Sequence, residues 1–222
     1  MKKIISLMLV IVMALLLFAC GAEEAAGGDK DQPEGNEEKK VEISRGTIEE
    51  GVYKNEYLGI KFVSTDSWTY CSDREIAELT DLVIEDICGE NFSQTLKNNE
   101  DVYDMMAINA TTGANIIVGY ENLEISNSLN FTISMYVRAL EIEVSKIENM
   151  SVTFPAAHEK VKLGDTEFTR VIATANLYGV STKQVYYFRK ADGYMSYIII
   201  TLPNDSKLEH VERMFKPYSP VA

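Results

Sequence analysis

Few side chains in this 222-residue sequence could carry chemistry alone: two histidines and three cysteines. His158 follows Pro155-Ala156-Ala157 in an expected loop, and His210 lies off the Leu208, Val211, Phe215 stripe of an expected last helix. Neither has a second His or a Cys at ligand spacing, so the zinc patterns H-E-x-x-H and paired C-x-x-C are absent. There is no G-x-S-x-G, S-x-x-K, P-loop or G-x-G-x-x-G either. A Ser, His and Asp could still meet in space, because such triads are recognised by geometry. The residues single out no catalytic group, no metal ligand set and no cofactor.

The cysteines carry the clearest signal. Met1-Lys2-Lys3 precedes an apolar run from Ile4 to Ala19 broken only by Ser6, a positive n-region followed by an h-region. Those 16 residues would reach only about 24 Å as a helix, short of a hydrocarbon core of roughly 30 Å. The run ends in Leu17-Phe18-Ala19-Cys20-Gly21, which resembles the bacterial lipobox, with Phe18 bulkier than is usual there. That resemblance implies a signal peptide over 1–19 and a mature N-terminal Cys20 carrying diacylglycerol and palmitate. A lipid anchor then replaces a span, with the membrane as first partner. Cys71 and Cys88 lie 17 residues apart; a continuous helix would separate them by roughly 25 Å, where a disulfide needs under about 7 Å. Two free thiols are expected, with a Cys71–Cys88 bond as the alternative if that helix is broken.

Charge is the next feature: 34 acids against 21 bases give −13, which disfavours nucleic acid as a partner. Loss of residues 1–19 removes Lys2 and Lys3 and takes the mature charge to −15. Gly21 to Glu50 holds ten acids, four bases and little to bury, so it is expected to be a flexible tether. Residues 73 to 104 hold ten acids against Arg74 and Lys97. They suggest an acidic docking face on one helix, made by Glu75, Glu78, Asp81, Glu85 and Asp86, for a basic partner or divalent cations, although a solvated surface explains them as simply. No EF-hand spacing supports calcium.

The elements that would position these groups follow from periodicity. Tyr57 to Val63 reads as a strand leading through Ser67 to Trp68, an expected core anchor. Ser72-Asp73-Arg74-Glu75 is a capping box opening a helix through Ile76, Leu79, Leu82, Val83 and Ile87. A short helix over Phe92 to Lys97 precedes strands Tyr103–Asn109 and Asn115–Asn122. Ile133, Val137, Leu140, Val144 and Ile147 form one helical stripe. Strands follow at 152–154, 159–163, 167–176, 182–190 and 194–202, separated by hairpin chemistry at Gly164-Asp165, Tyr178-Gly179 and Asp192-Gly193. Ile198-Ile199-Ile200 implies a strand covered on both faces, and Ser206 is expected to cap a helix ending near Phe215. The twelve tyrosines suggest either a binding surface or core, with Tyr186 and Tyr187 on opposite faces of a strand.

The whole reads as a single α+β domain over 51–222, a mostly antiparallel sheet with helices on its faces. Tyr57-Leu58-Gly59-Ile60-Lys61-Phe62, Ser67-Trp68, Tyr103-Asp104-Met105-Met106-Ala107 and Asp192-Gly193-Tyr194-Met195 resemble the PsbP-like α/β/α sandwich of small bacterial lipoproteins. The better-known members, an extrinsic photosystem subunit and an accessory protein of the Ran GTPase, lend no function, because none of their functional residues can be matched here. The expected role is a non-catalytic lipoprotein domain at the outer face of the cell membrane, binding an envelope protein or small ligand. The Gly- and Glu-rich tether looks most like those of Gram-positive bacteria. The alternatives are an envelope hydrolase with a spatially assembled site and a structural subunit of an envelope complex.

Overall fold

Long runs of β-branched and aromatic residues, punctuated by turn dipeptides, drive the second half of the chain into hairpins. The computed structural model describes residues 42–80, 92–155, 157–203 and 206–218. Strands β9 (Thr166–Leu177), β10 (Val180–Ala191) and β11 (Tyr194–Pro203) form a continuous antiparallel meander. Its two turns place Tyr178 and Gly179, then Asp192 and Gly193, at positive φ, the backbone that matches the twist of a tight hairpin. On the far side of β11 lie β6 (Asn115–Asn122) and β5 (Asp101–Asn109), and β4 (Trp68–Tyr70) closes that edge. The large sheet runs β4-β5-β6-β11-β10-β9-β7, where β7 is Met150–Thr153 and β8 (Glu159–Leu163) also pairs with β9.

Alternation then sorts side chains into two cores. Tyr186 and Tyr187 are neighbours on β10, point to opposite faces and are both fully buried. Ile198, Ile199 and Ile200 do the same on β11, as expected of a central strand. Helices cover the first face: α1 (Asp73–Thr80) supplies Ile76 and Ala77, and α3 (Ile133–Val144) supplies Tyr136, Val137, Leu140 and Val144. The second face is covered by a four-stranded sheet of β1 (Thr47–Glu49), β2 (Val52–Asn55), β3 (Ile60–Val63) and β12 (Phe215–Pro217). Two short helices, α2 (Phe92–Asn98) and α4 (Leu208–Glu212), add Leu96, Leu208 and Val211 to it. This is the α+β arrangement of antiparallel sheet and helices, with a second sheet on one side.

That second sheet is where the structure departs from the sequence expectations. Tyr57 and Leu58 form a turn rather than a strand, because the Asn55 side chain accepts from the Leu58 amide at 2.8 Å and ends β2. Thr47–Glu49, inside the stretch expected as tether, pairs with β2, and Ile43 packs against the core, so the folded region begins before residue 51. The last helix stops at Glu212, and its cap is Lys207, with no side-chain bond, instead of Ser206. Phe215 continues as a strand because its ring packs 5.1 Å from that of Phe62, a tertiary contact that outweighs helical periodicity.

Candidate functional site

The capping box forms as its spacing requires: the Ser72 amide donates to Glu75 Oε2 at 2.6 Å and the Glu75 amide to Ser72 Oγ at 3.3 Å. Glu75 is therefore engaged at the helix start. Glu78 on the next turn accepts from Arg74 at 3.0 Å. Asp81, Glu85 and Asp86, with Cys88, lie outside the described residues, as does the lipidation residue Cys20.

The acidic run 73–104 does not continue as one surface. Asp101 and Asp104 both sit on β5 and are 1% and 4% exposed, so two of its carboxylates are withdrawn from solvent. A register shift between Tyr103 and Met105 makes a β-bulge, which lets Asp104 and Met105 face the same side. Asp104 enters the core beneath the small sheet. There its Oδ2 accepts from Tyr53 Oη at 2.5 Å and Asn55 Nδ2 at 2.7 Å, and its Oδ1 from the Gly46 amide at 2.8 Å. Arg45 Nε stands 4.0 Å from it, and the Arg45 guanidinium also pairs with Asp73. Burial pushes the Asp104 carboxyl above the usual range, while the bonds from Tyr53, Gly46 and Asn55 oppose the rise. One buried carboxylate thus ties the N-terminal segment to the domain.

Asp101 faces the helix-covered core and lies directly opposite Glu121 of β6, which is fully buried. Tyr136 of α3 donates to Glu121 Oε2. Tyr103 and Tyr197 meet edge to face beside this pair, their ring centroids 6.4 Å apart. Gly119, the register partner of both, makes room for them: a Cβ there would fall 2.5 Å from Tyr197 Cζ. Burial, reinforced by the neighbouring acids, holds the Tyr103, Tyr136 and Tyr197 hydroxyls protonated. Sequence reasoning missed Asn55, Tyr53, Glu121 and Tyr136; the available signal was a carboxylate within a strand otherwise rich in apolar residues.

The candidate reactive groups are dispersed. His158 is half-buried between β7 and β8, and His210 is exposed on α4. Cys71 is a free thiol whose pKa burial, helped by Glu75, pushes up to about 12, so it stays protonated near neutrality. Trp68 is a core residue at 8% exposure, packed edge to face on Phe62. Eight of the twelve tyrosines are buried, which places them in the cores and not on a binding surface. Among the described residues no group of three or more His, Cys, Asp or Glu could hold a metal ion, and no helix is long and apolar enough to cross a membrane.

No protein-family model matches the chain, and no curated protein matches it. Among solved structures it is similar to cyanobacterial PsbP (CyanoP) from Synechocystis sp. PCC 6803, with 10% identity and a TM-score of 0.46 over 81% of this chain and 96% of that one. A protein from Bacteroides thetaiotaomicron aligns with 8% identity and a TM-score of 0.37, and this chain spans about half of its length, 50%. The similarity to cyanobacterial PsbP is weak and partial, and the α+β assignment stands on the strands and helices described above.

Proposed function

We propose that this protein is a non-catalytic binding or interaction domain, held by a lipid on Cys20 at the extracytoplasmic face of the membrane. The observation that carries the non-catalytic reading is where the chemistry-bearing side chains go. Asp101, Asp104 and Glu121 are engaged inside the two cores, and the Cys71 thiol is protonated by burial. The anchored reading rests on Lys2-Lys3, the apolar run and the Leu17-Phe18-Ala19-Cys20 sequence. A tether of some twenty residues preceding Glu42 would hold the domain off the bilayer.

Metabolic labelling with palmitate and detergent phase partitioning test this reading. The wild-type protein should take up label and enter the detergent phase, and Cys20→Ala should do neither. Equal labelling of the two would exclude Cys20 as the acylated residue. Crosslinking in intact membranes followed by isolation should then recover a stable partner.

A further inference from the structure

Charged residues make up 25% of this chain, yet Asn149 to Ala157 and Val171 to Thr182 contain none. Pairing of Met150–Thr153 with Thr174–Leu177 brings the two stretches together at one end of the large sheet, where β7 is the outermost strand. Charges and proline on an edge strand discourage pairing with another chain. The other edge strands among the described residues are protected in this way. β8 carries Glu159, Lys160 and Lys162, β1 carries Glu49, β12 carries Lys216 and Pro217, and β4 is flanked by Asp66 and Asp73. The β7 sequence, Met150-Ser151-Val152-Thr153, has neither device.

The ladder determines which backbone groups β7 turns outward. The two-residue turn at Tyr178-Gly179 makes Leu177 and Val180 a hydrogen-bonded pair, so the Leu177 backbone points to β10 and that of Asn176 to β7. Ser151, opposite Asn176, is thereby bonded to β9. The Tyr178 amide, donating to the Asn149 carbonyl at 3.1 Å, follows the same alternation. Met150 and Val152 then turn their carbonyls, and Val152 its amide, away from the sheet; the Met150 amide donates to the Ile147 carbonyl at 3.3 Å. Side chains alternate as well. Val152 and Phe154 are half-buried against the helix-covered core, while Ser151 and Thr153 are exposed on the opposite face.

This edge is self-complementary. In an antiparallel pair with a second copy centred on Val152, the two Val152 residues exchange N–H···O=C bonds, and the Phe154 amide of each copy reaches the Met150 carbonyl of the other. On the helix-covered face Val152 then meets Val152 and Met150 meets Phe154. On the other face Ser151 meets Thr153, a pair suited to hydroxyl hydrogen bonding. A one-residue slip would set hydroxyl against apolar side chains. Two copies carrying −13 each repel, and an uncharged edge is where they approach at least cost. A charged peptide would find no counter-charge along it.

We infer that β7 is a self-association edge, at which a second copy of this chain adds its own β7 antiparallel and joins the two large sheets into one. Four residues a side make a small contact, so the pairing is concentration-dependent rather than permanent. The inference names a partner for the interaction reading without using the lipid on Cys20. A failed palmitate experiment leaves it standing, and its own failure leaves the anchor standing.

The test is amide hydrogen exchange of the purified full-length protein in detergent over a wide range of concentrations, with sedimentation velocity on the same samples. The Val152 amide should exchange about tenfold more slowly in the most concentrated sample than in the most dilute, while the Ser151 amide, bonded to β9 throughout, should not change. Sedimentation should show a dimer forming over the same range. Val152→Pro removes the outward donor without touching a bond to β9 and should abolish the dimer with circular dichroism unchanged. If that variant does not fold, Thr153→Lys, which sets a charge on the exposed side of the edge, should do the same. A monomer at every concentration, or a dimer that survives in the folded variant, overturns the inference. So does protection of Val152 that appears only with a different polypeptide bound.

Discussion

Asp101 and Asp104 stand three residues apart on one strand and end in opposite cores. Asp104 is surrounded by donors from residues far away in sequence, the Tyr53 hydroxyl, the Asn55 amide and the Gly46 backbone, so it stitches the first strands to the large sheet. Asp101 faces another acid, Glu121, with a helix tyrosine on the latter. The contrast shows that a run of acids in sequence need not be a surface. The strand's alternation, which puts residues three apart on opposite faces, sends the two carboxylates to different tasks.

Breaking the first environment should cost most. Asp104→Ala leaves three donors short of their acceptor and is expected to lower unfolding stability by about 3 kcal/mol, read from the urea midpoint. Asp104→Asn sharpens the same point through pH. Burial raises the folded pKa of Asp104, so its contribution is fully present below the ordinary carboxylate value and is lost as pH rises through the folded value. The variant should therefore lack the part of the wild-type decline that begins above about pH 4. On the other face, Gly119→Ala forces a methyl into the Tyr197 ring and should cost about 1–3 kcal/mol.

Glu121→Gln should be milder, within about 1 kcal/mol, because it keeps an acceptor for the Tyr136 hydroxyl. Smallest is Arg45→Ala. Its side chain is 31% exposed, and water screens its pair with the similarly exposed Asp73; a loss of roughly 0.5 kcal/mol is expected in the same unfolding measurement.

Apart from β4, where only Trp68 was read and as a core anchor, the strands of the large sheet and the stripe of α3 were legible in the sequence because local periodicity and turn dipeptides determine them. The Tyr186 and Tyr187 pair was readable as two-faced for the same reason. The small sheet was not legible, since β1, β2, β3 and β12 are three or four residues each and are drawn from both ends of the domain. Their pairing depends on tertiary contacts such as Phe62 with Phe215. The carboxylate environments were hidden because their partners, Gly46, Tyr53 and Asn55 around Asp104 and Glu121 opposite Asp101, come from other segments of the chain. The open edge at β7 depends on the order of strands in the sheet, which no single segment encodes.

Amide hydrogen exchange over residues 42–55 tests most directly whether Asp104 fastens the N-terminal segment while the Asp101 and Glu121 pair serves the other core. Asp104→Ala should accelerate exchange at the Gly46 amide and through β1 and β2, and Glu121→Gln should leave these amides as protected as in the wild type. Equal acceleration in both variants, or none at Gly46 in Asp104→Ala, would contradict it.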